Sequence, residues 1–287
     1  MDGILLLDKP AGLTSHDVVS RLRKLLGTRA VGHAGTLDPQ ATGLLVVAVG
    51  SATRWLPYLP ADKSYRATVR LGLATDTEDI WGAETAADAA APPAPEAYTQ
   101  AMLALAGLSE QVPPMFSALK QDGRKLYELA REGLTVERKA RPMTITAVRV
   151  LALRGQEADF EVDCGGGTYV RSLCVEVGRS LGRPACMAAL RRLRSGNFSL
   201  DQALPQERWQ PGPLAEALMD SALALAHLPE KALDQAEAVD VGHGRDVAAP
   251  TEQSGTWRLT HQGSLLALAE ADPAKEGRLR PRRVFQA

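Results

Sequence analysis

The chain has 287 residues, 45% hydrophobic, 23% charged and 5% aromatic, which suits one large domain or a domain with a small appendage and excludes disorder as the main state. The 33 Lys and Arg against 34 Asp and Glu leave a formal net charge of -1, so the average gives no argument for a polyanionic partner. Cys164, Cys174 and Cys186, with no Cys-x-x-Cys pair, argue against a disulfide framework or structural zinc and for a reducing cytoplasm. The first residues lack a signal-peptide pattern, and the longest apolar run, Leu44 to Val49, is far below the roughly 20 residues that span a bilayer.

In chain order, Gly3 to Asp8 reads as a short buried strand. Thr14 or Ser15 then caps a helix with Val18, Val19, Leu22, Leu25 and Leu26 on one stripe, stopped by Gly27. Leu44 to Val49 reads as a fully buried strand and Tyr65 to Leu73 as another, and Ala91 to Pro95 as an exposed loop. Residues 98–106 and 124–132 look helical, divided by Pro113-Pro114. Arg149 to Leu153 and Asp159 to Cys164 are strand candidates, and Gly165-Gly166-Gly167 leads into a helix with Val170, Leu173, Cys174, Val177 and Leu181 on one face. These elements predict a mixed, largely antiparallel α+β sheet. Beyond about residue 228 short strands separated by glycines predict a small all-β appendage.

Charge is segmented along the chain. Residues 117–154 hold nine bases and four acids, residues 179–194 five arginines and no acid, and residues 200–254 ten acids and three bases. A further basic group, Arg278, Arg280, Arg282 and Arg283, lies near the end. Such runs are ordinary for solvated faces, but several basic blocks together point to a phosphate-rich partner.

Two segments carry chemistry. In Gly32-His33-Ala34-Gly35-Thr36-Leu37-Asp38-Pro39-Gln40-Ala41-Thr42-Gly43, three glycines permit tight turns and Pro39 biases Asp38 away from the helical region, so a carboxylate is presented from stiffened backbone. An Asx-turn in a surface loop is the plain alternative. In Cys164-Gly165-Gly166-Gly167-Thr168-Tyr169-Val170-Arg171, a cap at Thr168 puts Arg171 in the first helical turn, where the macrodipole disfavours a cation. Arg171 therefore seeks a carboxylate such as Asp38 or a phosphate, or else reaches out to solvent. The glycines match neither G-x-x-x-x-G-K-[ST] nor G-x-G-x-x-G.

At these segments the chain resembles the bacterial TruB-like family of tRNA pseudouridine synthases that modify uridine 55 of the TΨC arm. The resemblance is carried by Gly3 to Pro10 with Gly12, Thr14 and Ser15, by His33 to Leu45, and by Lys63-Ser64-Tyr65. Pro113 to Lys120, Gly123 with Leu126 to Arg131, Gly167 to Arg171 and Leu190 to Leu193 extend it over most of residues 3–195. The tail, ending in Pro281-Arg282-Arg283-Val284, looks like that family's PUA-type barrel through weaker motifs.

The resemblance implies a catalytic domain over residues 1–228 with an RNA-clamping insertion at about 113–143, and a PUA-like β-barrel over residues 229–287. It implies that Asp38 is the catalytic carboxylate, Arg171 its ion-pair partner and Tyr65 the aromatic stacked on the target uracil. Leu190 would close the pocket, His33 would fill the space left by the extracted base, and Asp79 and Tyr169 would lie beside the substrate. Lys9 and Pro10 would support the pocket wall. Lys120, Arg124, Arg141, Arg191 and Arg192 would contact RNA. Ala34, Thr36, Gln40 and Gly165-Gly166 depart from the family pattern without touching these positions.

The reaction breaks the N1–C1' bond, turns the uracil and rejoins it through C5, so no cofactor and no metal are expected. The carboxylate acts on C1' or on C6, and Arg171 is expected to lower its pKa. The C5 proton leaves to Tyr65 or to Asp38. The expected partner is the T-arm of tRNA, bound by a monomer without an obligatory protein partner. Two other readings use the same residues: an RNA-binding module in which Asp38 is only a turn residue, and a hydrolase with Asp38 as nucleophile, although no second carboxylate accompanies it in its loop.

Overall fold

The computed structural model describes residues 1–250, 254–271 and 277–285. Its centre is an eight-stranded sheet running from Gly3–Lys9 through Thr42–Val49, Ala185–Ser195, Lys63–Leu71 and Glu157–Cys164 to Ile145–Arg154, with Val31–His33 and Phe198–Ser199 as side pairings. Every pairing in it is antiparallel except one: Ala185–Ser195 meets Thr42–Val49 in parallel at Arg191–Thr42 and Arg192–Gly43. The fold is thus mixed α+β with a largely antiparallel sheet, as expected.

The apolar runs of the first half are explained by burial on both faces. Leu5, Leu7, Leu45, Val47 and Val49 pack against Val18, Val19 and Leu22 of the Ser15–Leu26 helix. Ile4, Leu6, Leu44, Val46 and Ala48 face the other way, onto Trp55 and Phe285. Thr14 caps that helix in a reciprocal pair with Asp17, and Gly27 ends it at φ +63. In the second half the strands alternate, and Ala67, Val69, Phe160 and Val162 bury one face under the Val170–Ser180 helix.

Several boundaries move. The expected 98–106 helix is Pro95–Leu103 followed by a 3-10 turn, and the expected 124–132 helix begins at Leu126, after a small hairpin of Lys120–Gln121 with Arg124–Lys125. The expected strand at Tyr65 to Leu73 is Lys63–Leu71. The Ala185–Ser195 strand, which joins the two halves, was not expected at all.

The insertion rises on a two-stranded stem, Glu110–Gln111 with Arg141–Pro142. Past residue 228, strands Glu230–Ala232, Val247–Ala248, Thr256–His261, Ser264–Ala271 and Arg278–Val284 form one five-stranded sheet around Trp257, Leu259, Val241 and Leu279. No described helix is long and apolar enough to cross a membrane. Cys164, Cys174 and Cys186 are all buried free thiols.

Candidate active site

Asp38 sits in the loop that enters the parallel seam, and the residues around it are tied down one by one. The Ser15 hydroxyl accepts from the Leu37 amide at 2.8 Å and lies 3.1 Å from the Leu37 carbonyl. The Gly12 amide donates to Pro39 O at 2.8 Å. Lys9, fully buried, gives its ammonium to the carbonyls of Leu13, Pro10 and Pro39 at 2.6, 2.9 and 3.4 Å. Burial pushes the Lys9 pKa down to about 8. Lys9 therefore ties together the backbone on either side of the Asp38 loop.

Arg171 comes from the first turn of the Val170–Ser180 helix, as its position required. Its Nε stands 3.0 Å from Asp38 Oδ2, and its terminal nitrogens donate to Thr77 O and Phe116 O at 2.8 Å each. The helix cap is Tyr169, not Thr168, whose hydroxyl donates instead to Gly165 O at 3.0 Å. Gln111, which the sequence did not single out, clamps this turn. Its side chain donates to Gly167 O at 2.9 Å and accepts from the Tyr169 amide at 3.1 Å. Tyr169 is half-buried at the helix start.

The expected pKa of Asp38 is corrected. Burial raises it more than the Arg171 guanidinium lowers it, so the carboxyl lies above its ordinary range. About a third of the side chain is still open, which leaves one approach for a ligand.

Tyr65 and Leu190 approach one another from adjacent strands. Leu190 pairs with Ala67 and Arg192 with Tyr65, so Tyr65, Leu190 and Arg192 share one face, and Leu37, Ala41, Tyr65 and Leu190 pack in one cluster. The strand period of two separates the expected phosphate ligands Arg191 and Arg192. Arg191 is on the outer face, bound to Asp8 at 2.7 Å and 40% exposed in its side chain. Arg192 is fully buried and cannot meet a phosphate, which corrects its expected role.

Asp79 is 5% exposed, and its carboxylate accepts from Gln40 Nε2 at 2.6 Å, the Thr77 hydroxyl at 2.9 Å and the Trp81 amide at 3.0 Å. It ties Gln40 of the Asp38 loop to the turn that carries Thr77. His33 is half-buried at the edge of the sheet with Nδ1 unpartnered, and burial lowers its pKa, so the ring is neutral near pH 7. On the insertion, Lys120, Lys139 and Arg141 are exposed and carry no ion pair among the described residues, whereas Arg124 pairs with Glu132. A cavity of about 430 Å³ lies behind Arg171, between its helix and the stem of the insertion, and includes Gln111, Arg138 and Ser172. Among the described residues no group of His, Cys, Asp or Glu could hold a metal ion.

A partly open carboxylate is thus held by a buried guanidinium, with a tyrosine and a leucine packed in the adjoining cluster. The TruB family pseudouridylate synthase N-terminal domain matches residues 23–170, and the pseudouridine synthase II TruB C-terminal domain matches residues 229–285. A "tRNA pseudouridine synthase B" of Aromatoleum aromaticum is 46% identical over 99% of this chain and 92% of its own. One of Mycobacterium sp. (strain KMS) is 45% identical over 95% and 93%. The crystal structure of a Cbf5-Nop10-Gar1 complex aligns with TM-score 0.76 at 27% identity, covering 99% of this chain and 85% of the other. This chain belongs to the TruB family of pseudouridylate synthases.

Proposed function

We propose that the chain isomerises uridine 55 in the T-arm of tRNA to pseudouridine, with Asp38 as the essential carboxylate. The observation that carries this reading is the 3.0 Å pair between Arg171 Nε and Asp38 Oδ2, with the Asp38 side chain a third exposed and Tyr65 and Leu190 in the cluster that packs around its loop. The names of its relatives support tRNA as substrate.

The base must leave its stack to reach Asp38. Tyr65 then offers one face, Leu190 covers the other, and neutral His33 fills the space left behind without the cost of burying a charge. A bound uracil covers the open third of Asp38, which strengthens every charge interaction in the pocket. The carboxylate then attacks C1' or C6, the N1–C1' bond breaks, the uracil turns, C5 bonds to C1', and the bond to Asp38 breaks to restore the carboxylate. The C5 proton leaves last. Burial raises the Tyr65 pKa, which weakens a phenolate route and leaves Asp38 as the better placed acceptor. No step changes redox state or composition.

Lys120 and Arg141 serve as phosphate contacts on the insertion, joined by Lys139, and the C-terminal sheet serves as a PUA-like RNA-binding unit. Incubating the protein with a T-arm transcript labelled with tritium at C5 of uridine tests the reading: label release is expected. Retention at saturating protein would leave an RNA binder, and a product heavier by one water would leave a hydrolase. Reverse-transcription mapping on a bare tRNA transcript then locates the modified position.

A further inference from the structure

Arg192 is fully buried, yet among the described residues it pairs with no carboxylate. A guanidinium without a counter-ion is costly to bury, so its donors must be satisfied by neutral acceptors. Nε donates to Leu44 O at 2.7 Å and a terminal nitrogen to Gly35 O at 3.1 Å, and Tyr65, its direct register partner on the neighbouring strand, faces the same guanidinium. These groups belong to three segments: the Asp38 loop, the strand that follows it, and the strand across the seam that carries Tyr65.

The backbone is shaped around this residue. Arg192 stands opposite Gly43 on one side and Tyr65 on the other. A Cβ at Gly43 would lie 2.3 Å from the Arg192 carbonyl oxygen, and one at Gly35 would lie 3.4 Å from an Arg192 terminal nitrogen. The charge is also felt nearby: Lys9 and Lys63 are both lowered to about 8, by burial first and with Arg192 contributing. A guanidinium has donors and no acceptor, so a tyrosine hydroxyl that faces it turns its proton away.

We propose that Arg192 is a positioning residue, one guanidinium that fixes the Tyr65 hydroxyl and the Asp38 loop in a single register so that ring and carboxylate meet the same base. This rests on the roles given above to Asp38 and Tyr65. The test is a cycle of Arg192→Met and Tyr65→Phe, singly and together, assayed by single-turnover tritium release. Arg192→Met is expected to lower the rate about 100-fold, the cost of a displaced reacting group, while KM and the salt dependence of RNA binding stay unchanged. Arg192→Lys should recover part of the rate. In the Tyr65→Phe background Arg192→Met should cost much less, because the hydroxyl it orients is absent.

A full 100-fold loss in that background, or a raised KM with a smaller salt slope, would overturn the proposal. If the Met variant does not fold, the same cycle is run with Arg192→Lys and judged by the same outcomes. A parent protein with no activity removes the functional reading and this inference together, whereas an active parent with an additive cycle removes the inference alone.

Discussion

Burial raises the Asp38 pKa although Arg171 stands beside it, so the fold makes the charged form of this carboxyl costlier than it is in water. Activity that needs the carboxylate is lost as pH falls through this raised value. The acid limb of the rate profile is therefore expected above the ordinary carboxylate range, and Arg171→Met should move it higher still; initial rates across the acid range check both. The stability sign follows by linkage. A carboxyl with a raised folded pKa contributes below its unfolded pKa, and that contribution is lost as pH rises through the folded value. At neutral pH Asp38→Asn removes the cost of that charge but leaves the buried Arg171 guanidinium without its counter-ion, so Tm should not rise, while turnover falls by at least about 10⁴-fold with RNA binding retained. Near-parent turnover in that variant would remove Asp38 from the chemistry. The same scale sorts the basic residues: Lys120→Ala and Arg141→Ala should each reduce the salt slope of RNA binding by about one, without changing the single-turnover rate at saturation.

At the scale of elements, the parallel seam between Thr42–Val49 and Ala185–Ser195 is held by a short register, Arg191–Thr42 and Arg192–Gly43. Gly43 has φ +99, and its neighbour across the seam is backbone, which cannot swing aside. Gly43→Ala is expected to cost at least about 2 kcal/mol in urea unfolding and to disturb the pocket with it. A variant as stable as the parent would mean that the seam yields. This seam was also the least legible part of the sequence. Ala-Cys-Met-Ala-Ala-Leu-Arg-Arg-Leu-Arg-Ser has no β-branched residue and three arginines, so neither propensity nor alternation marks it as a central strand. The strands at Gly3–Lys9 and Thr42–Val49 were legible because both faces are buried and the apolar run is unbroken. Asp38 and Arg171 could be read because proline, glycine and helix-start chemistry mark them locally. Gln40 on Asp79 and Gln111 on Tyr169 could not be read, since each contact joins residues 39 and 58 positions apart that carry no local signature.

At the scale of the molecule, the C-terminal sheet is less of an appendage than its composition suggests. Leu268 and Phe285 pack into the same cluster as Ile4, Leu6, Leu44 and Val46, and the Phe285 ring meets Trp55 edge-on at 5.3 Å between centroids. These strand residues lie on the back of the sheet that presents Asp38, so the catalytic half completes its core with side chains from the other end of the chain. Buried aromatic truncations leave a cavity as well as losing transfer free energy, so Phe285→Ala should cost about 3 kcal/mol. Because the cluster is shared, that loss should move one cooperative calorimetric transition and not a minor early one. Cutting the chain after Leu228 should likewise leave Trp55 and Leu6 without their cover and lower the stability of the catalytic half. Two separate transitions in the parent, with only the smaller one shifted by Phe285→Ala, would show that the two units unfold independently and that the shared cluster contributes little to holding the active-site sheet.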